Sequence, residues 1–323
     1  MVAKYNSADC HLLPAMKTGH LDLLPDAVVR EVMVSDENRA TGVRYINRTT
    51  KAEGEVRARS VVVACACVQS VALLMMSKSS RYPTGLANSS GALGKHFIPH
   101  FTGGVQCFLT DLIGKQPTND EGFLDHAYVP SFMHKRKRDY ARSFGVQFNY
   151  QNRRATGWAR SVPGIGKSFK EAVKARYPAF LTFSPYGEML PNPKSYVDLD
   201  TAKLDEFGLP MARRHQHWGE NDMKIFADMT RWSVEILKAA GAEIQSVSDE
   251  PRPNHELGGC RMGSDPRSSV VNADCQTHDV PNLYVVDGSV FPSASEKNPT
   301  LTIMALGART ADRLAERFRR KEI

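Results

Sequence analysis

Hydrophobic and polar positions change rhythm twice along this chain. From Val61 to Ala66, apolar side chains occupy both parities, the pattern of a central parallel strand covered on two faces. From Gln69 to Met76 the pattern becomes helical. A strand, a tight turn of small residues and a helix, in that order, open a crossover of the nucleotide-binding type. Upstream, "AVVREVMV" and the alternation at Val43 and Tyr45 predict further strands around a turn at 36–38. The first hundred residues therefore read as α/β.

The middle of the chain has a different texture. "GGVQCFL", "FGVQFNY", "AFLTFSPYGEML" and "SYVDLD" are short β signals separated by proline and glycine, and they predict an antiparallel sheet. One amphipathic helix follows, with Ile225, Met229, Trp232, Ile236 and Leu237 at helical spacing and Gly241 placed to end it. The last 70 or so residues return to α/β. A buried strand from Leu283 to Val286 breaks at Asp287 and Gly288. A helix then starts with Asn298 as N-cap, Pro299 at the first helical position and Thr300 in the first turn. Arg317, Arg319, Arg320 and Lys321 crowd its far end, where they complement the helix dipole. Three segments result: 1–96, 97–250 and 251–323. The first and third are expected to form one α/β unit interrupted by an α+β unit.

Composition narrows the class. The chain has 323 residues, 41% hydrophobic and 24% charged, as in a folded globular protein. No apolar run approaches the roughly 18 residues that a membrane span requires. The opening "MVAKYNSADCHLLP" has no apolar leader core, so the sequence as it stands is expected in the cytoplasm. A leader on a preceding segment would send it to the periplasm instead. The net charge is +7, and its densest run, "HKRKRDY" at 134–140, is expected to be a solvated loop rather than a nucleic-acid patch. Six cysteines without a CxxC pair are expected to be buried, reduced thiols.

Three motifs imitate sites. "GIGKSFK" resembles a phosphate loop, but Ser161 stands where that pattern needs its first glycine and no hydrophobic strand feeds it. His215 and His217, in "RHQHW", would face opposite ways on a strand and lack further ligands, so an exposed loop is expected there and no metal. Ser289 lacks the GxSxG elbow of a hydrolase nucleophile.

The strongest pattern lies after residue 250. "NHELGGCRMGSD", "NLYVVDGSVFP" and "NPTLTIMALGARTAD" occur in order, with a lone histidine, His255, just before Gly258 and Gly259. This ordered set closely resembles the C-terminal signature of the glucose–methanol–choline (GMC) family of FAD-dependent oxidoreductases. Within the family it looks most like the sugar and sugar-acid dehydrogenase branch. "ARSVVVACACVQSVALLMMSKS", "GLANSSGALGKHF" and "GEMLPNPKSYVDLDTAKLDEFGLP" extend the resemblance over nearly the whole chain. It departs from the family in three places. No GxGxxG follows a strand, Ala66 stands where the family usually has glycine, and Pro99 stands where it has aspartate.

The resemblance implies a partial FAD-binding, Rossmann-like domain at 1–96 and 251–323, with a substrate domain at 97–250. It implies His255 as general base on a substrate hydroxyl, with Asn298 as the second catalytic side chain beside the substrate oxygen. By local rules alone His255 could equally be a core histidine, and Asn298 a helix cap. The catalytic role is preferred for both. The glycines would bend the chain so that backbone passes close to flavin and substrate. Asn298, Pro299 and Thr300 would place a helix N-terminus at the flavin's pyrimidine edge, Asp287 and Gly288 would lie near its ribityl chain and pyrophosphate, and Val29 near its adenine. The implied substrate is an alcohol, sugar or sugar acid, and the implied partners are a small subunit or a cytochrome electron acceptor. The alternative is a non-catalytic piece, or a subunit whose FAD site needs a separate polypeptide carrying GxGxxG.

Overall fold

The computed structural model describes residues 5–116, 127–129, 137–150 and 157–323. The first three residues of the basic run at 134–140 lie outside them. Of the remainder, Lys137 and Asp139 are exposed, and the Arg138 guanidinium stacks 5.2 Å from the centre of the Tyr140 ring.

Strands β1 (Ala27–Val34), β2 (Ala40–Asn47) and β3 (Glu53–Arg57) form an antiparallel meander rather than part of a parallel sheet. β4 (Val61–Val63) is parallel, as expected, and its partner is the distant strand Leu283–Val285. Coverage on both faces is not observed. These two strands form a sheet of their own, in which Val61 and Val63 are buried and Val62 is 47% exposed. The buried side packs with Val71, Leu74 and Val290 into the first hydrophobic core.

Helix α1 (Cys67–Met76) begins directly after Ala66, whose backbone sits at φ 67, ψ 161. That region suits glycine and costs a residue with a Cβ on the order of 1–3 kcal/mol. Ala66→Gly is therefore expected to stabilise the chain by about 1 kcal/mol, part of the relief being offset by the freer unfolded chain. Thermal unfolding of the two proteins checks it, and an unchanged or lower midpoint would contradict the strain.

The central unit is a seven-stranded antiparallel sheet. It contains β5 (His100–Thr102), β6 (Val105–Leu109), β7 (Ala127–Val129) and β8 (Phe144–Tyr150). After helix α2 (Gly166–Arg176), which takes up the glycine–lysine motif, come β9 (Phe180–Gly187) and a separate hairpin, β10 (Tyr196–Leu204) with β11 (Pro210–His215). Helix α3 (Glu220–Ala239), β12 (Ala242–Val247) and β13 (Arg252–Asn254) complete it, the last strand coming from beyond residue 250. β14 (Leu283–Val285) and helix α4 (Thr300–Arg319) end the chain.

The order β12-β6-β9-β5-β13 runs across the sheet, with β8 on the other edge of β9 and β7 outside it. Helix α3 lies on one face. Its Ile225, Phe226, Met229 and Leu237 bury against Phe101, Phe144, Val146 and Phe183, and Gly241 ends it at φ 72 as its position predicts. His215 closes β11, stacked on Tyr196 and 3.1 Å from Asp198, so it is not part of an exposed loop. Cys67, Cys107, Cys260 and Cys275 are buried free thiols, whereas Cys10 and Cys65 are exposed. Among the described residues no helix is long and apolar enough to cross a membrane.

Candidate active site

The period of two in β5, β8 and β9 builds the site. Directly paired residues share a face, and Phe144 with Gly187, Val146 with Pro185, and Phe148 with Phe183 are such pairs. This face lies under α3. The intervening positions must then point the other way. Gly145 pairs with Tyr186, Gln147 with Ser184, and Thr102 with Tyr186. Asn254 of β13 pairs with His100 of β5. One side of the sheet is therefore aromatic and aliphatic, and the other carries Gln147, Tyr186, Thr102, His100 and Asn254.

His255 leaves β13 on this polar side. Its backbone adopts φ 48, a left-handed conformation that histidine tolerates better than most residues, and its N–H donates to the Asn254 side chain at 2.8 Å. The half-buried ring then lies 5.1 Å from the Tyr186 ring, with Nδ1 3.0 Å from Nδ1 of His100. The Tyr186 hydroxyl accepts from the Asn254 amide at 3.2 Å. Burial raises the pKa of Tyr186 and keeps it a neutral phenol.

His100 is completely buried. Burial, helped by the neighbouring imidazole of His255, pushes its pKa from 6.5 down to about 4. In the unfolded chain it titrates near 6.5, so the folded state binds fewer protons between the two values. Its contribution is complete above pH 6.5 and is lost as the pH falls toward 4, by about 3 kcal/mol in all. Urea unfolding at pH 7 and at pH 4 is expected to show this loss in the native chain, reduced by about that amount in His100→Asn. Equal losses in both would remove His100 as its source.

Asn298 reaches the same face from the other end of the chain. The predicted cap is not formed. Pro299 holds the N-cap position, no side chain caps the helix, and the first helical residue is Thr300. The Asn298 side-chain oxygen instead accepts a hydrogen bond from Nε2 of the buried Gln147. The loop lies close over the strand: a Cβ on Gly145 would come 2.9 Å from Cγ of Glu296. Thr300 and Leu301 are exposed, so water can satisfy the first N–H groups of the helix without a side-chain cap.

The glycines after His255 bring backbone close to backbone. Gly258 has φ 84 and Gly259 has φ 97. A Cβ on Gly258 would stand 2.2 Å from the His96 carbonyl oxygen, and one on Gly259 would stand 2.6 Å from Val71 of α1. The N–H groups of Gly258, Cys260 and Met262 donate to the carbonyls of Gly288, Ser289 and Val290 at 3.0, 2.9 and 2.8 Å. This ladder joins the His255 segment to the turn that leads toward Asn298. Met262 packs against the first core.

Asp287 and Gly288 stand at the end of β14. The Asp287 carboxylate is buried and accepts from the Ser289 N–H at 2.8 Å and from the Ser70 hydroxyl, so it ties the strand end to α1. Val29 lies in β1 opposite Tyr45 and packs partly on the first core, away from the residues of the polar sheet face. His255 and Asn298 thus gather at the sheet, Pro299 and Thr300 follow Asn298 as the helix start, and Asp287, Gly288 and Val29 belong to the first unit. His100, Gln147, Tyr186 and Asn254 were not singled out from sequence. For Gln147 and Tyr186 the signal was the alternation with aromatics in "FGVQF" and "FSPYG", whereas His100 and Asn254 carried no such local mark.

The chain matches the GMC oxidoreductase family in two blocks, residues 2–102 with the family's N-terminal region and residues 191–307 with its C-terminal region. A 2-methyl-1,2-propanediol dehydrogenase from Mycolicibacterium austroafricanum is 33% identical over 92% of this chain and 55% of its own length. The fructose dehydrogenase large subunit of Gluconobacter japonicus is 29% identical over 90% and 53% respectively. The chain therefore spans about half the length of these relatives. Among solved structures, pyridoxine 4-oxidase from Mesorbium loti superposes with a TM-score of 0.65 over 97% of this chain and 62% of its own, at 17% identity.

Proposed function

This chain belongs to the GMC oxidoreductase family, and we propose that its polar sheet face is the substrate side of an FAD-dependent oxidoreductase acting on the CH–OH group of an alcohol, sugar or sugar acid. The observation that carries the reading is the convergence of His255 and Asn298. One reaches the polar face through His100 and Tyr186, the other through Gln147, although the two lie on separate segments.

Oxidation of an alcohol removes a proton from oxygen and a hydride from the adjacent carbon. Bound FAD supplies the hydride acceptor, at flavin N5. His255 takes the proton, a task suited to a neutral imidazole near neutral pH. Asn298, fixed at its oxygen by Gln147, has an amide N–H left to donate to the substrate oxygen. Sheet and α3 hold this arrangement rigid from behind.

The flavin end of the cofactor fits the residues present. Helix α4 is 20 residues long, begins without a side-chain cap and has no acidic residue in its first turn. The N–H groups at Thr300 and the next residues therefore carry undiminished partial positive charge, suited to the edge of a ring that gains electrons. Pro299 fixes the approach to that helix start. Gly288 keeps the neighbouring backbone tight, since a Cβ there would stand 2.8 Å from the Glu256 carbonyl oxygen. Asp287 and Val29 hold the parts of the first unit assigned to the ribityl and adenine ends.

A second reading has its own observation. The β4–β14 pair leaves Val62 47% exposed, and α4 leaves Leu301 78% and Met304 37% exposed. An apolar surface of this kind is suited to a further strand and helix, supplied by a longer chain or by a separate polypeptide carrying GxGxxG. In that reading this chain alone is a non-catalytic piece.

Incubation with FAD, desalting and a visible spectrum separate the two. Retained flavin that bleaches anaerobically with an alcohol or sugar supports a catalytic chain. A colourless protein that retains flavin only when a GxGxxG polypeptide is co-expressed supports the second reading. Flavin that is bound but not reduced by any CH–OH compound would overturn the proposed activity.

A further inference from the structure

One hydroxyl hydrogen on the polar face of the sheet has no acceptor, and a backbone group decides which. The N–H of His255 can only donate, and it donates to the Asn254 side chain at 2.8 Å. The atom that receives it must be the amide oxygen. The amide nitrogen of Asn254 is then the atom that lies 3.2 Å from the Tyr186 hydroxyl. That nitrogen has only hydrogens to offer, so the phenol oxygen accepts and its own hydrogen is left for a third group. Among the described residues no third group takes it. Nε2 of His100, whose ring centre is 6.3 Å from that of Tyr186, makes no hydrogen bond. The Thr102 hydroxyl, opposite Tyr186 on β5, is turned to the Pro185 carbonyl at 2.8 Å. Opposite Tyr186 on β8 stands Gly145, which has no side chain to offer.

The position of this donor is central. Strand β9, which carries Tyr186, runs between β5 and β8. On one side β5 leads through β13 to His255, and on the other Gln147 of β8 holds Asn298. The Tyr186 ring lies beside that of His255, with centres 5.1 Å and planes 32° apart. Burial raises the pKa of the phenol, so the hydrogen stays on its oxygen at neutral pH. Only 8% of the residue is exposed. An almost buried hydroxyl with an unused hydrogen is a cost that a bound oxygen removes. The reacting hydroxyl of a substrate is already served by His255 and Asn298. The donor beside His255 is therefore left for a neighbouring oxygen.

We propose that Tyr186 is a specificity-determining residue that donates its hydroxyl hydrogen to a second substrate oxygen, on the carbon next to the one oxidised, so that the site favours a vicinal diol over a simple alcohol. The inference rests on the oxidoreductase reading for the carbon that reacts, but the unused donor does not depend on it. A hydroxyl at that second position can accept the hydrogen. A methyl group there leaves it without a partner in a place that water hardly reaches. One neutral hydrogen bond is at stake, so the expected discrimination is about 10-fold. The bond avoids the reacting oxygen and is made alike before and during hydride loss. It should therefore act on KM and leave kcat nearly unchanged.

The test compares ethylene glycol with n-propanol, in which a methyl group replaces the second hydroxyl. It uses the flavin-loaded protein, with the GxGxxG polypeptide present if flavin retention requires it. The diol is expected to have a kcat/KM about 10-fold higher, through a lower KM. Tyr186→Phe keeps the ring and removes the donor, and is expected to bring the two compounds to the same kcat/KM. Any disturbance of His255 through Asn254 would lower both alike and leave their ratio untouched. Asn254→Asp reaches the same end by another route. Its carboxylate still accepts the His255 N–H and also captures the Tyr186 hydrogen, so the preference should vanish with the phenol in place. Equal use of the two compounds by the unmodified protein overturns the proposal, as does a preference that survives in Tyr186→Phe. If that variant does not fold, a preference that survives in Asn254→Asp is the contrary result. The flavin-free chain, labelled with 13C-tyrosine, gives a readout without turnover. Its Tyr186 Cζ resonance is expected to move on titration with ethylene glycol and to stay in place with n-propanol. If neither compound is oxidised, the oxidoreductase reading fails for them and the resonance alone decides, equal or absent shifts overturning the donor role.

Discussion

Replacing His255 with alanine is expected to lower kcat/KM for the alcohol substrate by about 10²–10⁴-fold, the usual contribution of a general base. Most of the loss should fall on kcat, because the imidazole takes its proton as the C–H bond breaks and contributes less to ground-state binding. The variant should still fold. His255 is half-buried, lies outside the helices and strands, and precedes the glycine ladder rather than forming part of it. Flavin retention equal to that of the native protein would establish this separately from activity. In the native protein, kcat/KM should fall on acidification as His255 becomes protonated, and in His255→Ala that dependence should disappear. A variant with full activity, or with low activity and the same pH dependence, would place the base elsewhere.

Much of the fold was legible because it depends on local periodicity. Helix α3 was readable from the spacing of Ile225, Met229, Trp232 and Leu237, and those side chains are the ones that bury against the sheet. The strands of the antiparallel sheet were likewise readable, since Phe144, Val146 and Phe148 alternate with polar or small residues. The failures have nonlocal causes. Val61 to Val63 reads as a doubly covered strand, but coverage depends on what packs on it, and here one neighbour leaves Val62 open. Asn298 reads as a cap because asparagine before proline is a good helix start. The structure gives its oxygen to Gln147, 151 residues away. His100 pairs with His255 across 155 residues and carries no local mark beyond its place in a β strand. His255 and Asn298 could be singled out by resemblance to a family signature. The side chains they contact could not, because strand pairing, which no short window contains, sets who faces whom.

The largest effect on folding is expected at Gly258, where a single methyl group meets two obstacles at once. Gly258→Ala would force a Cβ to within 2.2 Å of the His96 carbonyl oxygen, a fixed backbone atom rather than the movable end of a side chain. It would also hold alanine at φ 84, where L-residues are strained. The strain contributes roughly 1–2 kcal/mol. The displacement of packed backbone adds roughly 1–3 kcal/mol, for about 4 kcal/mol together. The chain cannot simply shift to relieve the clash. Gly258 donates to Gly288 at 3.0 Å and the next carbonyl, that of Gly259, accepts from Gly94 at 2.7 Å, so the crossing point is held from both sides. Chemical denaturation should show a loss of that size in Gly258→Ala, against only the roughly 1–2 kcal/mol of backbone strain in Gly208→Ala. Gly208 also has positive φ, but a Cβ there has nothing within 4 Å. The comparison separates crowding from backbone strain, since both glycines share the strain and only Gly258 is crowded. Equal losses at the two positions would mean that the backbone conformation alone accounts for the glycine, and the close approach of the His255 segment to the His96 carbonyl would lose its energetic support.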